Sequence, residues 1–401
     1  MATPRRRWVV VAIAAVTVTC VTSVVLLQRA GAPVKPATLA PSCPVTPRAA
    51  LVPRSGVLFG VNLDWGHDRL VDYAARLRHH PAVAVWFTGF PLSAQERSYL
   101  RQTLTQVRGQ GAILLLTLQP SGGLSTVTDA SAIDLADTLA AANRSGVPVI
   151  VRFAQEMNGS WYPWGQRPGA YVAAFRRVAA AVHRLAPGSA MMWAPNYGGG
   201  YPFTGGRFAA RPGTADYRAL DTNHDGVVNK QDDPYAPYWP GTAAVDWVGI
   251  SLYHWGSSYP WGANVIPEPG KFRAQLTGTY DGAGGDDRAV PDFYAIYGVQ
   301  HHKPVAIAET AALVNTSRDT SSQLAIKQAW WQQVLAEDVP ATFPDLKMIN
   351  WFEWDKYEVE VHARVDWTAT KVPAVRNAFT KQLPRWLRFG HPGPGCYAPA
   401  A

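Results

Sequence analysis

Short runs of mostly apolar residues recur along the chain, and Gly, Pro or aromatic residues follow them. We predict eight β-strands from these runs: Val57–Asp64, Ala82–Thr88, Ala112–Leu118, Val149–Gln155, Ala190–Ala194, Val245–Leu252, Pro304–Ala308 and Lys347–Phe352. Strands that are apolar on nearly every residue are typical of a parallel sheet covered on both faces, because neither side of such a strand meets water.

Amphipathic segments between these runs predict helices. A capping-box pattern at Ser93–Glu96 opens one helix. Residues Ala170–Leu185 carry apolar side chains at helical spacing, and the Pro-Gly pair that follows ends the pattern. Leu324–Ala336 and Ala374–Leu383 have the same character. Strands and helices therefore alternate along most of the chain.

This alternation predicts an α/β protein with a closed (β/α)8 TIM barrel over residues 56–390. A doubly wound open sheet is the structural alternative. The turn after the first strand lacks the Gly-rich phosphate-binding pattern that such sheets carry, so we favour the barrel.

Polar and aromatic residues follow the strands at their carboxyl ends, where TIM barrels carry their catalytic residues. They are Asp64, Trp65, Gln119, Glu156, Asn196, Tyr253, His254, Trp255, Glu309 and Glu353. Two long segments rich in Gly, Pro and Tyr, 198–241 after the fifth strand and 256–292 after the sixth, are predicted to cover the same face. Loops of this length commonly shape a substrate cleft.

Glu156 and Glu309 follow or end two different strands. Hydrolysis of a glycosidic bond needs one carboxylic acid to protonate the leaving oxygen and a second carboxylate to attack or to activate water. An ion pair with Arg152 explains Glu156 equally well when that residue is considered alone. Two such glutamates, with tryptophans in the neighbouring loops, favour a glycosidase.

The segment 152–164, RFAQEMNGSWYPW, resembles the fourth-strand segment of the family 26 glycoside hydrolases. These are β-mannanases and related retaining enzymes of clan A, built on a (β/α)8 barrel. The resemblance continues through WAPN at 193–196, YWPG at 238–241, VDWVGI at 245–250 and AET at 308–310.

The resemblance implies a role for each matching residue. Glu156 would be the acid/base, Glu309 the nucleophile, and Tyr253 the residue that hydrogen-bonds and orients Glu309. Trp161 and Trp351 would be sugar platforms. The remaining candidate substrate-binding residues are Gln155, Asn158, Trp164, Asn196 and Trp255.

One position departs from the family pattern. The family often has a histidine directly before the acid/base, whereas this chain has Gln155. Glutamine can donate a hydrogen bond to a sugar hydroxyl but carries no charge. The departure therefore leaves the substrate open between β-mannan and another β-glycan, such as β-1,3-linked xylan or mixed-linkage β-glucan.

Residues 221–232, DTNHDGVVNKQD, have the spacing of an EF-hand calcium loop with Asp at its last position. We expect a structural Ca²⁺ ion with these ligands: Asp221, Asn223, Asp225, Val227 through its backbone, and Asp232. A polar turn without metal is the alternative. No His, Cys and Asp cluster has zinc spacing, so we expect no catalytic cofactor.

The N-terminal residues 1–30 have the order of a targeting segment. Arg5–Arg7 precede an uncharged run, Trp8–Leu27, that is long enough to span a bilayer. We favour an uncleaved signal anchor over a cleaved signal peptide, and both place the protein outside the cytoplasm. Residues 31–55 are predicted to be a linker and residues 391–401 a C-terminal tail.

The net charge of +8 is concentrated at the N-terminus. Residues 1–50 contain six Lys or Arg and no acid, which leaves about +2 for the remainder. We therefore expect no nucleic-acid partner, and we expect a monomer. Cys43 and Cys396 flank the predicted domain and could form a disulfide in an oxidising compartment, although two free thiols are the alternative.

The sequence thus predicts a secreted or membrane-anchored retaining hydrolase, endo-acting on β-linked polysaccharide. A catalytically silent carbohydrate-binding barrel is a different class of function, which the presence of both glutamates disfavours. A transglycosylase that uses the same residues is the other alternative.

Overall fold

A computed structural model of the chain describes residues 43–282, 289–393 and 396–399. The predicted targeting segment and residues 31–42 of the predicted linker lie outside these ranges. Within the described ranges, no helix is both long and apolar enough to cross a membrane.

Eight parallel strands form a closed barrel. They are β1 Val57–Leu63, β2 Val83–Gly89, β3 Ile113–Gln119, β4 Val149–Phe153, β5 Ser189–Trp193, β6 Trp247–Ser251, β7 Val305–Thr310 and β8 Leu346–Glu353. Each strand pairs in parallel with the next, and β8 pairs with β1 to close the sheet. The predicted barrel is confirmed, and every predicted strand is present with ends shifted by no more than two residues.

Helices surround the barrel. They are α1 Leu70–Leu77, α2 Ala94–Gly109, α3 Asp129–Arg144, α4 Pro168–Leu185, α5 Ala215–Leu220, α6 Lys271–Leu276, α7 Gln323–Val334, α8 Val339–Thr342 and α9 Pro373–Lys381, with a π-helix at Tyr294–Gln300. The capping box at α2 is formed, since the Glu96 amide donates to the Ser93 hydroxyl and the Ser93 amide donates to the Glu96 carboxylate.

Three short strands were not predicted. Strands β9 Asp355–Glu358 and β10 Ala363–Asp366 form an antiparallel hairpin directly after β8. Strand β11, Leu387–Arg388, pairs in parallel with the first two residues of β1. These segments are too short for apolar alternation to reveal them.

Alternate residues along each strand belong to two separate apolar cores. The inner core fills the barrel and includes Leu58, Val83, Val85, Ile113, Leu115, Ile150, Met192, Trp247, Ala306, Ala308 and Met348. Their neighbours in sequence pack outward against the helices. The two-residue period of a strand therefore decides which side chains can reach the mouth of the barrel.

Strand β7 carries an irregularity in its pairing. Ile307 pairs with Ile349, and Thr310 pairs with Trp351, so β7 has one residue more than β8 over this stretch. The same extra residue appears against β6, where Ser251 pairs with Glu309. A bulge of this kind changes the direction of a side chain.

The two ends of the described domain are tied together. A disulfide joins Cys43 to Cys396, with their Cα atoms 5.5 Å apart, which confirms the predicted pair. Leu51 is buried against the inner core, and Arg48 forms an ion pair with Asp246. Residues 43–55 are therefore part of the folded domain rather than the linker that we predicted, because Leu51 and the partly buried Val52 pack against the inner core. Cys396 likewise fixes part of the predicted tail.

The disulfide closes a sequence separation of 353 residues. We predict that replacing both Cys43 and Cys396 with serine lowers the free energy of unfolding by about 2–5 kcal/mol, because the unfolded chain gains conformational freedom. Thermal unfolding followed by circular dichroism would show a lower midpoint. The Cys20→Ser variant is the control, and an unchanged midpoint in the double variant would contradict the prediction.

Candidate active site

The chain leaves β4 through a strained backbone. Ala154 and Glu156 have φ angles of 47° and 55°, in the left-handed region that residues other than glycine rarely adopt. The amide of Glu156 donates to the carbonyl of Ala194 at the end of β5, 2.9 Å away, which holds the turn. Strain of this kind is retained where surrounding contacts enforce it, often at functional sites.

Glu309 lies between two hydrogen-bond donors. Arg152 is two residues past the inward-facing Ile150, and its fully buried guanidinium donates to one carboxylate oxygen of Glu309. The hydroxyl of Tyr253 donates to the other oxygen. Arg152 thus pairs with Glu309, and not with Glu156 as in the alternative that the sequence left open.

Tyr253 stays protonated in this environment. Burial raises its pKa well above the usual value, and the nearby charge of Glu309 raises it further. The tyrosine therefore remains a donor that fixes the carboxylate of Glu309, which is the contact that the family resemblance implied.

Glu156 has the protonation behaviour of a general acid. Burial raises its pKa to about 7, and the negative charge of Glu309 contributes in the same direction. The positive charge of Arg152 and the hydrogen bond from the indole of Trp161 act against this shift. Both protonation states of Glu156 are therefore accessible near neutral pH, as catalysis by one group acting as acid and then as base requires.

Sequence reasoning missed Ser251. It is buried at the carboxyl end of β6, and its hydroxyl oxygen lies 2.9 Å from Nη2 of Arg152. A small polar residue that ends an otherwise apolar strand next to the bulge of β7 was the available signal, but serine is common at strand ends.

Trp161 lies beside the acid. Its indole Nε1 is 3.2 Å from Oε2 of Glu156, and 38% of the residue is exposed. The ring lies against Gly159, where an added Cβ would come within 2.4 Å of it. The Asn-Gly pair in the sequence therefore makes room for this ring. Trp255 is half-buried, with its ring centre 6.3 Å from that of Tyr253.

One predicted sugar platform, Trp351, and one predicted substrate-binding residue, Trp164, are wrong. Trp351 has opposite strand parity to the inward-facing Met348, so it points away from the barrel and packs on Phe379 of α9 with no exposed surface. Trp164 is also buried, and its indole donates to the backbone carbonyl of Gln155. Both rings belong to the core behind the site.

Other predicted substrate-binding residues hold the loops in place. Asn158 is fully buried, and its side chain bonds both the amide and the carbonyl of Asn196, each at 2.8 Å. Gln155 is 1% exposed, so neither Gln155 nor Asn158 reaches an open cleft. Asn196 is half-buried and stays a candidate for substrate contact.

Glu353 ends β8 but faces away from the other carboxylates. One of its oxygens accepts a hydrogen bond from the Ala369 amide at 2.9 Å, and burial raises its pKa to about 7. It lies near the buried Lys327, whose ammonium group donates to the carbonyls of Asp366 and Thr368. This position makes Glu353 part of the helix-packing layer rather than a substrate ligand.

The candidate calcium loop is an oxygen-rich turn. The carboxylate of Asp221 accepts the amides of Asp225 and Gly226, while the buried Asp232 accepts those of Thr222 and Asn229. In the described part of the chain, no group of three or more His, Cys, Asp or Glu side chains is arranged to hold a metal ion. The donor types fit Ca²⁺.

The fold is shared with several solved structures. GH26C from Muricauda sp. MAR_2010_75 superposes with a TM-score of 0.55 at 13% identity, covering 86% of this chain and 90% of the other. A modular endo-β-1,4-mannanase from Cellulomonas fimi has the same TM-score at 16% identity, covering 90% of this chain and 79% of the other. The family 26 endo-β-1,4-mannanase catalytic domain of Bacillus sp. JAMB-750 has a TM-score of 0.54 at 18% identity, covering 87% and 92%.

This chain has the fold of the family 26 glycoside hydrolases. No family model matches the sequence, and no curated protein matches it either. The family 26 fold is therefore preserved here at identities between 13% and 18%, and the site has to be judged from its own residues.

The protonation of Glu156 gives a direct test of this site. We predict that Glu309→Gln lowers the pKa of Glu156, because the substitution removes the negative charge that disfavours its ionised form. Carboxyl ¹³C NMR of glutamate-labelled protein would follow the titration.

Glu353 also titrates near pH 7, so the variants Glu156→Gln and Glu353→Gln are needed to assign the two signals. Glu353→Gln is also the matched control, and the pKa of Glu156 should be unchanged in this variant. A pKa of Glu156 that stays constant in Glu309→Gln would show that the two carboxylates do not interact.

Proposed function

We propose that the protein is a retaining glycoside hydrolase that cleaves β-linked polysaccharide by double displacement. The observation that supports this proposal is that two glutamates at one barrel mouth have electrostatic surroundings that favour opposite protonation states. Glu309 accepts hydrogen bonds from Arg152 and Tyr253, while burial and the charge of Glu309 favour the protonated form of Glu156. A nucleophile must be ionised and an acid must hold its proton.

In the first step, Glu309 attacks the anomeric carbon and Glu156 gives its proton to the leaving glycosidic oxygen. Ester formation at Glu309 consumes the negative charge that had helped to raise the pKa of Glu156. The pKa of Glu156 then falls, so it becomes a base. In the second step, Glu156 takes a proton from water as the water attacks the anomeric carbon and releases Glu309.

The proposed substrate class is supported by the site and by the solved structures that share the fold. Trp161 presents a partly exposed ring next to Glu156, and sugar rings stack their C–H faces on such surfaces. The solved structures that share the fold include endo-β-1,4-mannanases, and one fungal β-1,4-galactanase superposes with a TM-score of 0.50 at 12% identity, covering 82% of this chain and all of the other. We therefore propose an endo-acting enzyme on β-mannan or a related β-glycan.

The proposed setting is outside the cytoplasm. The disulfide between Cys43 and Cys396 supports this, because such bonds persist in oxidising compartments. The run at residues 8–27 would act as a signal anchor or as a cleaved signal peptide. A polysaccharide substrate would be met in the same setting.

The two glutamates should respond differently to substitution. We predict that Glu309→Ala removes nearly all turnover of an activated aryl β-glycoside, and that azide restores it with an inverted glycosyl azide product, because azide enters the vacated nucleophile position. Glu156→Ala should lower turnover of polysaccharide by about 10²–10⁴-fold, and far less for an aryl glycoside whose leaving group needs no proton.

Glu353→Gln is the matched control for these variants, since its carboxylate lies in the helix-packing layer. The values of kcat/KM for polysaccharide should fall as the pH rises through about 7, where Glu156 loses its proton. A panel of mannan, galactomannan, xylans and mixed-linkage glucan would identify the substrate. Full activity of Glu309→Ala on any of these would exclude the proposed mechanism.

We further propose that the loop 221–232 binds a structural Ca²⁺ ion. Asp221, Asn223, Asp225 and Asp232 supply the oxygen donors that calcium prefers, with the carbonyl of Val227 completing the set. Calcium would hold this part of the insertion between β5 and β6. The ion has no part in the proposed chemistry.

Calcium should therefore raise the thermal stability of the protein. At a calcium concentration of 100 times the Kd, the expected gain is about 2.7 kcal/mol, and chelation should reverse it. The Asp225→Ala variant should lose this response, whereas Asp137→Ala, which removes an exposed carboxylate from α3, should keep it. Unfolding midpoints that are equal with calcium and with chelator would contradict the proposal.

A further inference from the structure

The hydroxyl of Tyr253 reaches Glu309 only if the tyrosine ring keeps its angle. The backbone beside the ring is fixed, because the amides of Leu252 and His254 donate to carbonyls at the carboxyl end of β7. These bonds leave the side-chain torsions of Tyr253 free. The residue is half-buried, so part of its surface is open. The direction of the hydroxyl therefore depends on the groups that pack against the ring.

Three aromatic rings pack against that of Tyr253. Their centres lie 5.1 Å away for Trp367, 5.7 Å for Phe352 and 6.3 Å for Trp255, and the ring planes are tilted by 61°, 85° and 64° respectively. Trp367 also packs edge-on against the other two, with ring centres 4.9 Å from Trp255 and 6.2 Å from Phe352. It is 1% exposed. Trp367 is thus the ring that all the others in this cluster contact.

Trp367 is held in turn by the hairpin of β9 and β10. Its indole Nε1 donates to Oε1 of Glu358 on β9 at 2.7 Å, and its backbone amide donates to the carbonyl of Trp354 at 2.9 Å. Strand β10 is tied to the chain after β7, since the amide of Asp366 donates to the carbonyl of Val314. A buried indole N–H needs an acceptor, so the bond to Glu358 sets the plane of the Trp367 ring.

We propose that Trp367 is a positioning residue which, held by Glu358, keeps the ring of Tyr253 at the angle from which its hydroxyl donates to Glu309. The inference deepens the proposed function and rests on it for the role of Glu309 as the nucleophile. The hairpin of β9 and β10 then supports the site from outside the barrel, and Trp367 acts on the reaction through Tyr253.

The geometry of ring pairs explains how Trp367 can act at this distance. Edge-to-face pairs prefer a definite angle, because the positive edge of one ring meets the negative face of the other. A change in the angle of the Tyr253 ring moves its hydroxyl, and a hydrogen bond weakens steeply as it bends. The contact between Tyr253 and Glu309 is therefore sensitive to the position of Trp367.

The loss of this contact would free one side of the nucleophile. Arg152 donates to one carboxylate oxygen of Glu309 and Tyr253 to the other. If the tyrosine ring turned away, the second oxygen would lose its donor and the carboxylate would be held at one oxygen only. A nucleophile that is less well aligned attacks more slowly, even though its chemistry is unchanged.

The matched pair Glu358→Met and Glu358→Gln tests the link without altering a ring. Methionine has a similar size but is a weak acceptor, whereas glutamine keeps a carbonyl oxygen for the indole. We expect Glu358→Met to lower kcat and kcat/KM for polysaccharide together by about two- to tenfold, the range given by the loss of one aromatic pair, with KM unchanged. The conservative variant Glu358→Gln should restore most of this rate.

A double-mutant cycle separates positioning from a general loss of packing. Trp367→Phe removes the indole N–H and should lower kcat in the same range. In a Tyr253→Phe background, which has no hydroxyl to position, the same substitution should have little further effect. Trp331→Phe, which removes a buried indole bond of 2.8 Å to Gln382 in the helix layer, is the control and should leave kcat unchanged. Additive effects of Trp367→Phe and Tyr253→Phe would overturn the proposal.

The position of Tyr253 can also be followed without turnover. In protein labelled with ¹³C at the tyrosine Cζ atoms, Tyr253→Phe assigns the signal, and Glu309→Ala shows where the signal lies when the carboxylate is absent. Glu358→Met should move the signal toward that position, and Glu358→Gln should not. An unchanged signal in Glu358→Met would contradict the inference. Circular dichroism would establish folding, and Trp367→Phe replaces Glu358→Met if that variant does not fold.

The two measurements keep this inference apart from the proposed function. If the wild type hydrolyses no β-glycoside, the proposed function fails, but the NMR signal still decides whether Trp367 and Glu358 position Tyr253. A shifted signal in Glu358→Met together with wild-type kcat would refute the catalytic part of the inference.

Discussion

The ion pair between Arg152 and Glu309 is the interaction on which the site depends. A guanidinium with no exposed surface is stable only if charged or polar partners replace its water, and here Glu309 and Ser251 are the partners. The inner core below it is apolar, so the cation cannot move down into the barrel. This constraint places Glu309 opposite β4, and it holds the positive charge near Glu156 as well. Removing one partner would leave a buried charge uncompensated, which is costly.

Two departures from regular strand geometry direct the glutamates toward each other. On β7, Ile307 and Thr310 both face the helices, and the extra residue between them turns Glu309 toward the barrel mouth. After β4, positive φ angles at Ala154 and Glu156 turn the chain toward β5. A regular strand would have given each carboxylate the direction that parity dictates. The catalytic geometry therefore has a local backbone cost that the surrounding sheet supports.

The direction of the backbone also decides which tryptophans near the site are exposed and which are buried. Trp161 stands in the loop after β4 and keeps an exposed face, whereas Trp164 stacks on Tyr162 with their ring centres 4.5 Å apart and is buried. Trp351 lies on an outward position of β8. Tryptophan near a strand end is consequently no evidence of a sugar platform until its direction is known, because a large ring serves equally well in the layer between barrel and helices.

The order of apolar runs and amphipathic segments was enough to predict the barrel, all eight strands and the carboxyl-end location of Glu156 and Glu309, because strand and helix periods are local properties of the chain. The spacing of Cys43 and Cys396 at the ends of the domain was enough to suggest their disulfide. The direction of Trp351, the burial of Trp164, Gln155 and Asn158, and the partner of Arg152 were decided only by the tertiary structure. Each of these depends on strand parity, on a bulge or on a positive φ angle, and a sequence pattern that locates a strand to within two residues cannot fix a property that reverses with every residue.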